Sequence, residues 1–127
     1  MTPLEEHFQR LFEENPGASL KRLPSGAHLV TVPGVRLPSG WSVQQATILF
    51  VAPPGYPGGN PDCFWAEPKG IRLQNGATPQ GSNDANPIPE EGPRGTWFSW
   101  HVQKWSPNSD DLVTYLNVIM RRFDVRQ

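Results

Sequence analysis

Residues 43–65, VQQATILFVAPPGYPGGNPDCFW, decide the fold of this chain. The stretch begins with an apolar run at 48–51 that is rich in the β-branched and aromatic residues typical of strands. A turn full of proline and glycine follows, and then a shorter apolar segment at 63–65. Because proline and glycine interrupt regular structure, the stretch predicts two neighbouring strands joined by a broad turn.

The chain on the N-terminal side of this stretch predicts more strands. Between residues 19 and 51, short segments rich in Leu, Val, Ile and Thr are divided by proline–glycine motifs at 24–26, 33–34 and 38–40. Apolar segments of this length between turn residues predict antiparallel strands that follow one another in a meander.

A helix is predicted ahead of the meander. Thr2 is a good N-cap, and Glu5 stands three residues later, as in a capping box. Apolar residues then recur at helical spacing: Leu4, Phe8, Leu11 and Phe12. Asn15-Pro16-Gly17 predicts the end of this helix.

The segment after the meander changes character twice. Residues 74–95 are almost all polar, Gly or Pro, and so long a loop in a small domain is functional or disordered. Residues 97–105 are rich in aromatic side chains, too much so for a solvated linker. A second helix is predicted next, with Asn108 or Ser109 as its cap. Its apolar face consists of Leu112, Tyr115, Leu116, Ile119 and Phe123.

These elements predict an α+β fold. The expected order is an N-terminal helix, about four strands of an antiparallel meander, a long irregular segment and a C-terminal helix. The helices should pack against one face of the sheet. A length of 127 residues predicts a single domain over 1–127.

Bulk properties narrow the function. The net charge of -1, with both signs interspersed, does not favour nucleic acid. No apolar run is long enough for a membrane span, and no secretory signal precedes the first helix, so we expect a cytoplasmic protein. A single cysteine and three scattered histidines lack the spacing of a zinc site, and neither a metal nor a cofactor is expected.

Two motifs at fixed places carry a family resemblance. Tyr56-Pro57 with Pro61 resembles the Tyr-Pro and downstream Pro at a strand turn of ubiquitin-conjugating enzymes. Trp105-Ser106-Pro107 before an amphipathic helix resembles the Trp-Ser-Pro that follows their active-site segment.

The closer resemblance is to prokaryotic ubiquitin-conjugating-enzyme family E. The further matching residues are Asp62, Phe64, Leu73, Asn75, Gly76, Pro79, Gln80, Phe98, Ser99, His101 and Asp110. The resemblance implies a ubiquitin-conjugating-enzyme-like fold. It also implies an acyltransferase of a bacterial ubiquitination-like pathway, of the kind linked to antiphage defence. The implied partners are a ubiquitin-like protein and an activating, adenylating enzyme.

The usual catalytic motifs of the superfamily are missing. The chain has no His-Pro-Asn tripeptide, and the position expected for the catalytic cysteine, counted back from Trp105, holds Trp97 or Phe98. By resemblance, Ser99 occupies the active-site segment. Because a hydroxyl needs a base, His101 is the natural helper, and residues two apart in an extended segment point to the same side. The prediction is an oxyester on Ser99. In the alternative, Ser99 and His101 have no catalytic role and only form hydrogen bonds with backbone groups.

Cys63 is the rival nucleophile, since a free thiol is intrinsically more reactive than a hydroxyl. It lies in an apolar, strand-like segment, where cysteine is usually a small buried hydrophobe, and we expect it to be inert.

Several residues are candidates for supporting roles. Asn75 can donate an amide to an oxyanion, or simply form the Asn75-Gly76 turn. Asp110 can orient His101, or favour the start of a helix, as can Asp111. Candidates for binding the ubiquitin-like tail, unless they are core residues, are Trp97, Trp100 and Trp105. The 74–95 loop is either a lid over the ester or a mobile segment.

Three functions remain open from the sequence. The first is the acyl carrier described above. The second is a catalytically inactive module of the same fold that binds a ubiquitin-like protein. The third is a scaffold for the activating enzyme.

Overall fold

An antiparallel sheet with two helices on one face forms the frame of the molecule, in a computed structural model that describes all of residues 1–127. The helices are α1 (Pro3–Glu14) and α2 (Leu112–Phe123). The strands are β1 (Ser19–Arg22), β2 (His28–Arg36), β3 (Gln45–Ala52), β4 (Phe64–Glu67), β5 (Ser82–Asn83), β6 (Pro87–Ile88), β7 (Gly92–Pro93) and β8 (Thr96–Phe98). The α+β architecture with terminal helices is therefore confirmed.

The main sheet is larger than the expected four strands. Six strands lie in the order β1-β2-β3-β4-β8-β5, and all neighbours are antiparallel. Two of the added strands come from the segments beyond residue 74. The prediction that 33–34 divides two strands is wrong, because β2 runs through this motif with a register shift between Val32 and Val35. Pairing of β2 with β1 ends at Thr31. The missing backbone N–H of Pro33 therefore leaves no hydrogen bond to β1 unmade.

The helix signals at both ends are local, and the structure follows them closely. In α1 the Thr2 and Glu5 side chains each accept from the other's backbone N–H, and Asn15 ends the helix. The predicted cap of α2 at Asn108 or Ser109 is wrong. Asp111 is the N-cap, and its side chain accepts a hydrogen bond from the Thr114 N–H. Neither helix has the length and apolarity that a membrane crossing requires.

The apolar residues form two clusters, one on each face of the sheet. The larger one joins the sheet to both helices and includes Leu11, Phe50, Phe98 and Tyr115, which are all fully buried. The smaller one lies on the opposite face and consists of Leu23, Ala27, Leu29, Leu49, Trp65 and Ile88.

Residues 84–94, which we call the strap, cover the smaller cluster. The expectation of a wholly irregular segment at 74–95 is wrong, because β6 and β7 pair as a small hairpin that buries Ile88 completely. Side chains tie the strap down at several points: Arg72 to Asp84 at 2.6 Å, Lys21 to Glu91 at 2.8 Å, and the Trp65 indole to the Asn86 carbonyl at 2.9 Å.

Candidate active site

Ser99, His101 and Asp62 form a chain of polar contacts at the surface. Nδ1 of His101 lies 2.5 Å from Oδ1 of Asp62, and Nε2 lies 3.5 Å from Oγ of Ser99. With Nδ1–H donating to the carboxylate, the Nε2 lone pair faces the serine hydroxyl. The second contact is long, as catalytic hydrogen bonds often are before substrate binds. The arrangement matches the nucleophile, base and orienting acid of acyl-transfer sites.

The pairing of β4 with β8 brings these residues together. Phe64 is opposite Phe98, so the residues just before β4 and just after β8 lie at the same end of the two strands. The Cys63 N–H continues the pairing by donating to the Trp100 carbonyl at 2.9 Å. Sequence reasoning missed Asp62 as the partner of His101. The signal available was the resemblance, whose pattern includes Asp62, but it assigned the residue no role.

Cys63 lies at the same place. The expectation that Cys63 lies in a strand is wrong, because Cys63 precedes β4 and has a φ of 58°. The residue as a whole is half-buried. One carboxylate oxygen of Asp62, the Cys63 sulfur and one ring nitrogen of His101 all lie within 4.8 Å of one another. Burial raises the pKa of the Cys63 thiol, and the negative charge of Asp62 raises it further. A raised pKa leaves less thiolate at neutral pH, which lowers the reactivity of this cysteine.

Trp100 lines two clefts beside the polar chain. One cleft, of about 310 Å³, is lined by Ser99, Trp100, Gln80, Gly81, Arg122, Val125 and Gln127. The other cleft, of about 350 Å³, includes Trp100, His101 and Lys104. The indole N–H donates to the Val118 carbonyl at 2.8 Å, which fixes the ring against α2. Trp100 is thus the tryptophan that borders both clefts.

The other two tail-binding candidates lie elsewhere. Trp97 is on β8 opposite Trp65 and packs against the smaller apolar cluster. Trp105 donates its indole N–H to the Pro57 carbonyl at 2.8 Å and packs against Tyr56. Both rings are partly buried and hold elements together, whereas neither lines the two clefts beside Ser99.

The supporting candidates make local contacts. Asn75 is exposed, and its side-chain oxygen accepts from the Ala77 N–H within its own turn. Asp110 accepts from the Ser106 N–H at 2.6 Å, and Asp111 caps α2. The structure therefore brings Ser99 and His101 together with Asp62. Asp110 lines the same cleft as His101 without contacting the imidazole, and Asn75 contacts only its own turn.

A buried cation borders the cleft that contains Ser99. Arg122 is 4% exposed, and its guanidinium donates to the carbonyls of Gln80, Val125 and Gln127. It also lies over the rings of Trp41 and Phe98. Burial lowers the pKa of Arg122 from its ordinary value. Main-chain oxygens and aromatic faces stabilise this charge.

Comparison with known proteins places the chain in a family. No curated protein and no solved structure matches the chain. The model of prokaryotic E2 family E matches residues 10–126, which include β4, β8 and α2. The chain belongs to prokaryotic E2 family E, a family of ubiquitin-conjugating-enzyme-like proteins.

Proposed function

We propose that the chain accepts the C-terminal acyl group of a ubiquitin-like protein from an activating enzyme, holds it as an oxyester on Ser99, and transfers it to an amine. The observation that carries the proposal is the Asp62–His101–Ser99 line, with contacts of 2.5 and 3.5 Å. Family membership supports the general class of reaction.

The proposed steps use the two nitrogens of His101 for different tasks. Nε2 takes the Ser99 hydroxyl proton as the oxygen attacks the activated carbonyl, and Asp62 stabilises the imidazolium. That proton then goes to the leaving group of the activating enzyme. In the second step an amine attacks the ester, Nε2 of His101 takes a proton from that amine, and the same proton goes to the Ser99 oxygen as it leaves.

The two clefts give each reactant a place. The cleft that contains Ser99 suits the tail of the ubiquitin-like protein, because Arg122 adds positive charge to its lining. The cleft beside His101 then receives the acceptor amine. Trp100 belongs to both and is the one tryptophan that we retain as a tail-binding residue.

A denaturing gel tests the proposal. The protein is incubated with its activating enzyme, the ubiquitin-like protein and ATP. We expect an adduct that survives reductant, is cleaved by mild hydroxide, and is lost in Ser99→Ala. Ser109→Ala is the matched control, since Ser109 is exposed and lies outside the site. In Ser99→Cys the adduct should become a thioester and turn sensitive to reductant.

Two other outcomes would contradict the proposal. If Cys63→Ser removes the adduct and Ser99→Ala does not, the thiol is the carrier. If no adduct forms under any condition, the chain is a docking module for the ubiquitin-like protein or a scaffold for the activating enzyme. The 3.5 Å separation of Ser99 and His101, which is long for a hydrogen bond, is the observation that favours this alternative.

A further inference from the structure

Three different metal-binding groups meet beside Ser99. The Asp62 carboxylate, the Cys63 thiol and the His101 imidazole each offer one donor atom, and these atoms all lie within 4.8 Å of one another. We propose that they form a site for one thiophilic divalent cation, with Zn²⁺ as the natural occupant. Spacing along the sequence concealed this site, because His101 joins the other two only through the pairing of β4 with β8.

The donor set selects the type of metal. Thiolate, imidazole and carboxylate are the three side-chain ligands that Zn²⁺ takes in proteins. Mg²⁺ and Ca²⁺ prefer oxygen ligands only, so the thiol disfavours them. Three protein ligands leave one tetrahedral position for water.

The backbone holds Cys63 in place before any metal arrives. Its N–H donates to the Trp100 carbonyl at 2.9 Å, and its carbonyl accepts from the hydroxyl of fully buried Tyr115 at 2.7 Å. A φ of 58° at a residue other than glycine is unusual and has an energetic cost. These restraints keep the thiol next to Asp62 and His101, so little rearrangement is needed for binding.

The charge of the cluster also suits a cation. The only ion-pair partner of Asp62 is His101, and no Lys or Arg forms a salt bridge there. Both side chains are more than half exposed, so a metal ion can reach them from solvent. Binding releases the thiol proton to the buffer and leaves the thiolate as ligand.

A bound metal would compete with the chemistry of Ser99. It would occupy the imidazole and carboxylate that the ester-forming step requires, so Zn²⁺ should reversibly inhibit adduct formation. This consequence rests on the proposed function, whereas metal binding itself does not.

Cobalt absorption tests the site directly. Metal-free protein is titrated with Co²⁺, and we expect a thiolate-to-cobalt charge-transfer band that saturates at one equivalent and disappears when Zn²⁺ is added. Cys63→Ser and Cys63→Ala should abolish the band. His101→Ala should weaken binding more than about 100-fold, because a direct ligand is lost. His28→Gln, at a histidine outside the cluster, is the matched control and should bind normally.

The outcome is separable from that of the proposed function. Ser99→Ala should bind Co²⁺ like the unaltered protein while forming no ester. A protein that forms the ester but shows no charge-transfer band would overturn the metal site alone. A band that persists in both Cys63 variants, each with unchanged circular dichroism, would overturn it as well.

Discussion

The Asp62 carboxylate orients the imidazole ring of His101. The 2.5 Å contact engages Nδ1 and leaves Nε2 facing Ser99. Under the proposed function, the carboxylate favours the tautomer that can accept the hydroxyl proton, and Asp62 is a positioning residue because it contacts the base and not the reacting atoms.

Replacement of Asp62 by asparagine should therefore disable the site without unfolding it. An amide can stabilise the wrong tautomer and carries no charge to balance an imidazolium, so we expect Asp62→Asn to slow adduct formation by about 100-fold or more. Initial rates on denaturing gels measure the change. Asp124→Asn is the matched control, because Asp124 is exposed and lines neither of the two clefts. Equal losses in both variants would contradict the assignment.

The sequence could identify two of these three residues. Ser99 and His101 are two apart in an extended segment, and local geometry alone puts them on one side. Asp62 lies 39 residues from His101, and only the register of β4 against β8 joins them. Cys63 was misjudged for the same reason, since its apolar neighbours predict a strand while the left-handed backbone before β4 keeps it at the site.

At the scale of elements, local signals were sufficient for the helices but not for the strap. Capping and 3.6-residue periodicity predicted α1 and the buried face of α2. β5, β6 and β7 have two residues each, too short for any periodicity to appear in the sequence. Contacts from distant residues order this segment, foremost the Arg72–Asp84 pair.

The contact between Asp84 and Arg72 should make the stability of the fold depend on pH. Its hydrogen bond with Arg72 lowers the pKa of Asp84, and bonds from Thr96 and Gly70 act in the same direction. A carboxyl with a lowered folded-state pKa stabilises the fold above its unfolded pKa, and this contribution disappears as pH falls through the folded value. Asp84→Asn should lose about 1–2 kcal/mol of unfolding free energy at neutral pH.

Urea unfolding at several pH values measures this loss. The difference between Asp84→Asn and the unaltered protein should shrink below about pH 4, where the carboxyl protonates in the unfolded chain. Glu13→Gln, an exposed position on α1, should change stability by less than about 0.5 kcal/mol at any pH. A loss that stays constant down to acidic pH would show that shape, and not charge, makes the Asp84 contribution.

On the scale of the whole molecule, one sheet serves two cores. Along β3, Ile48 faces the helices while Leu49 faces the strap, and both are fully buried. Since the same strands line both cores, the two faces should unfold together. The family match over residues 10–126 likewise spans both faces.

Substitutions at Ile88 test whether the two faces of the sheet unfold together. Its side chain is fully buried beneath the strap, so Ile88→Ala should cost about 2–5 kcal/mol and Ile88→Val about 0.5–1.5 kcal/mol, in one cooperative urea transition. Val125→Ala, at a side chain 39% exposed, should cost less than about 0.5 kcal/mol. If Ile88→Ala were equally mild, the strap would be detached in solution.

The strap also closes one apolar surface of the sheet to other proteins. Its hairpin covers the smaller cluster with the chain's own residues, whereas Ser99 lies in a cleft at the rim of the sheet. Under the proposed function, the donor of the acyl group and its recipient would approach that same rim. The acyl donor would then have to dissociate before the recipient binds, and its dissociation rate would limit the rate of transfer.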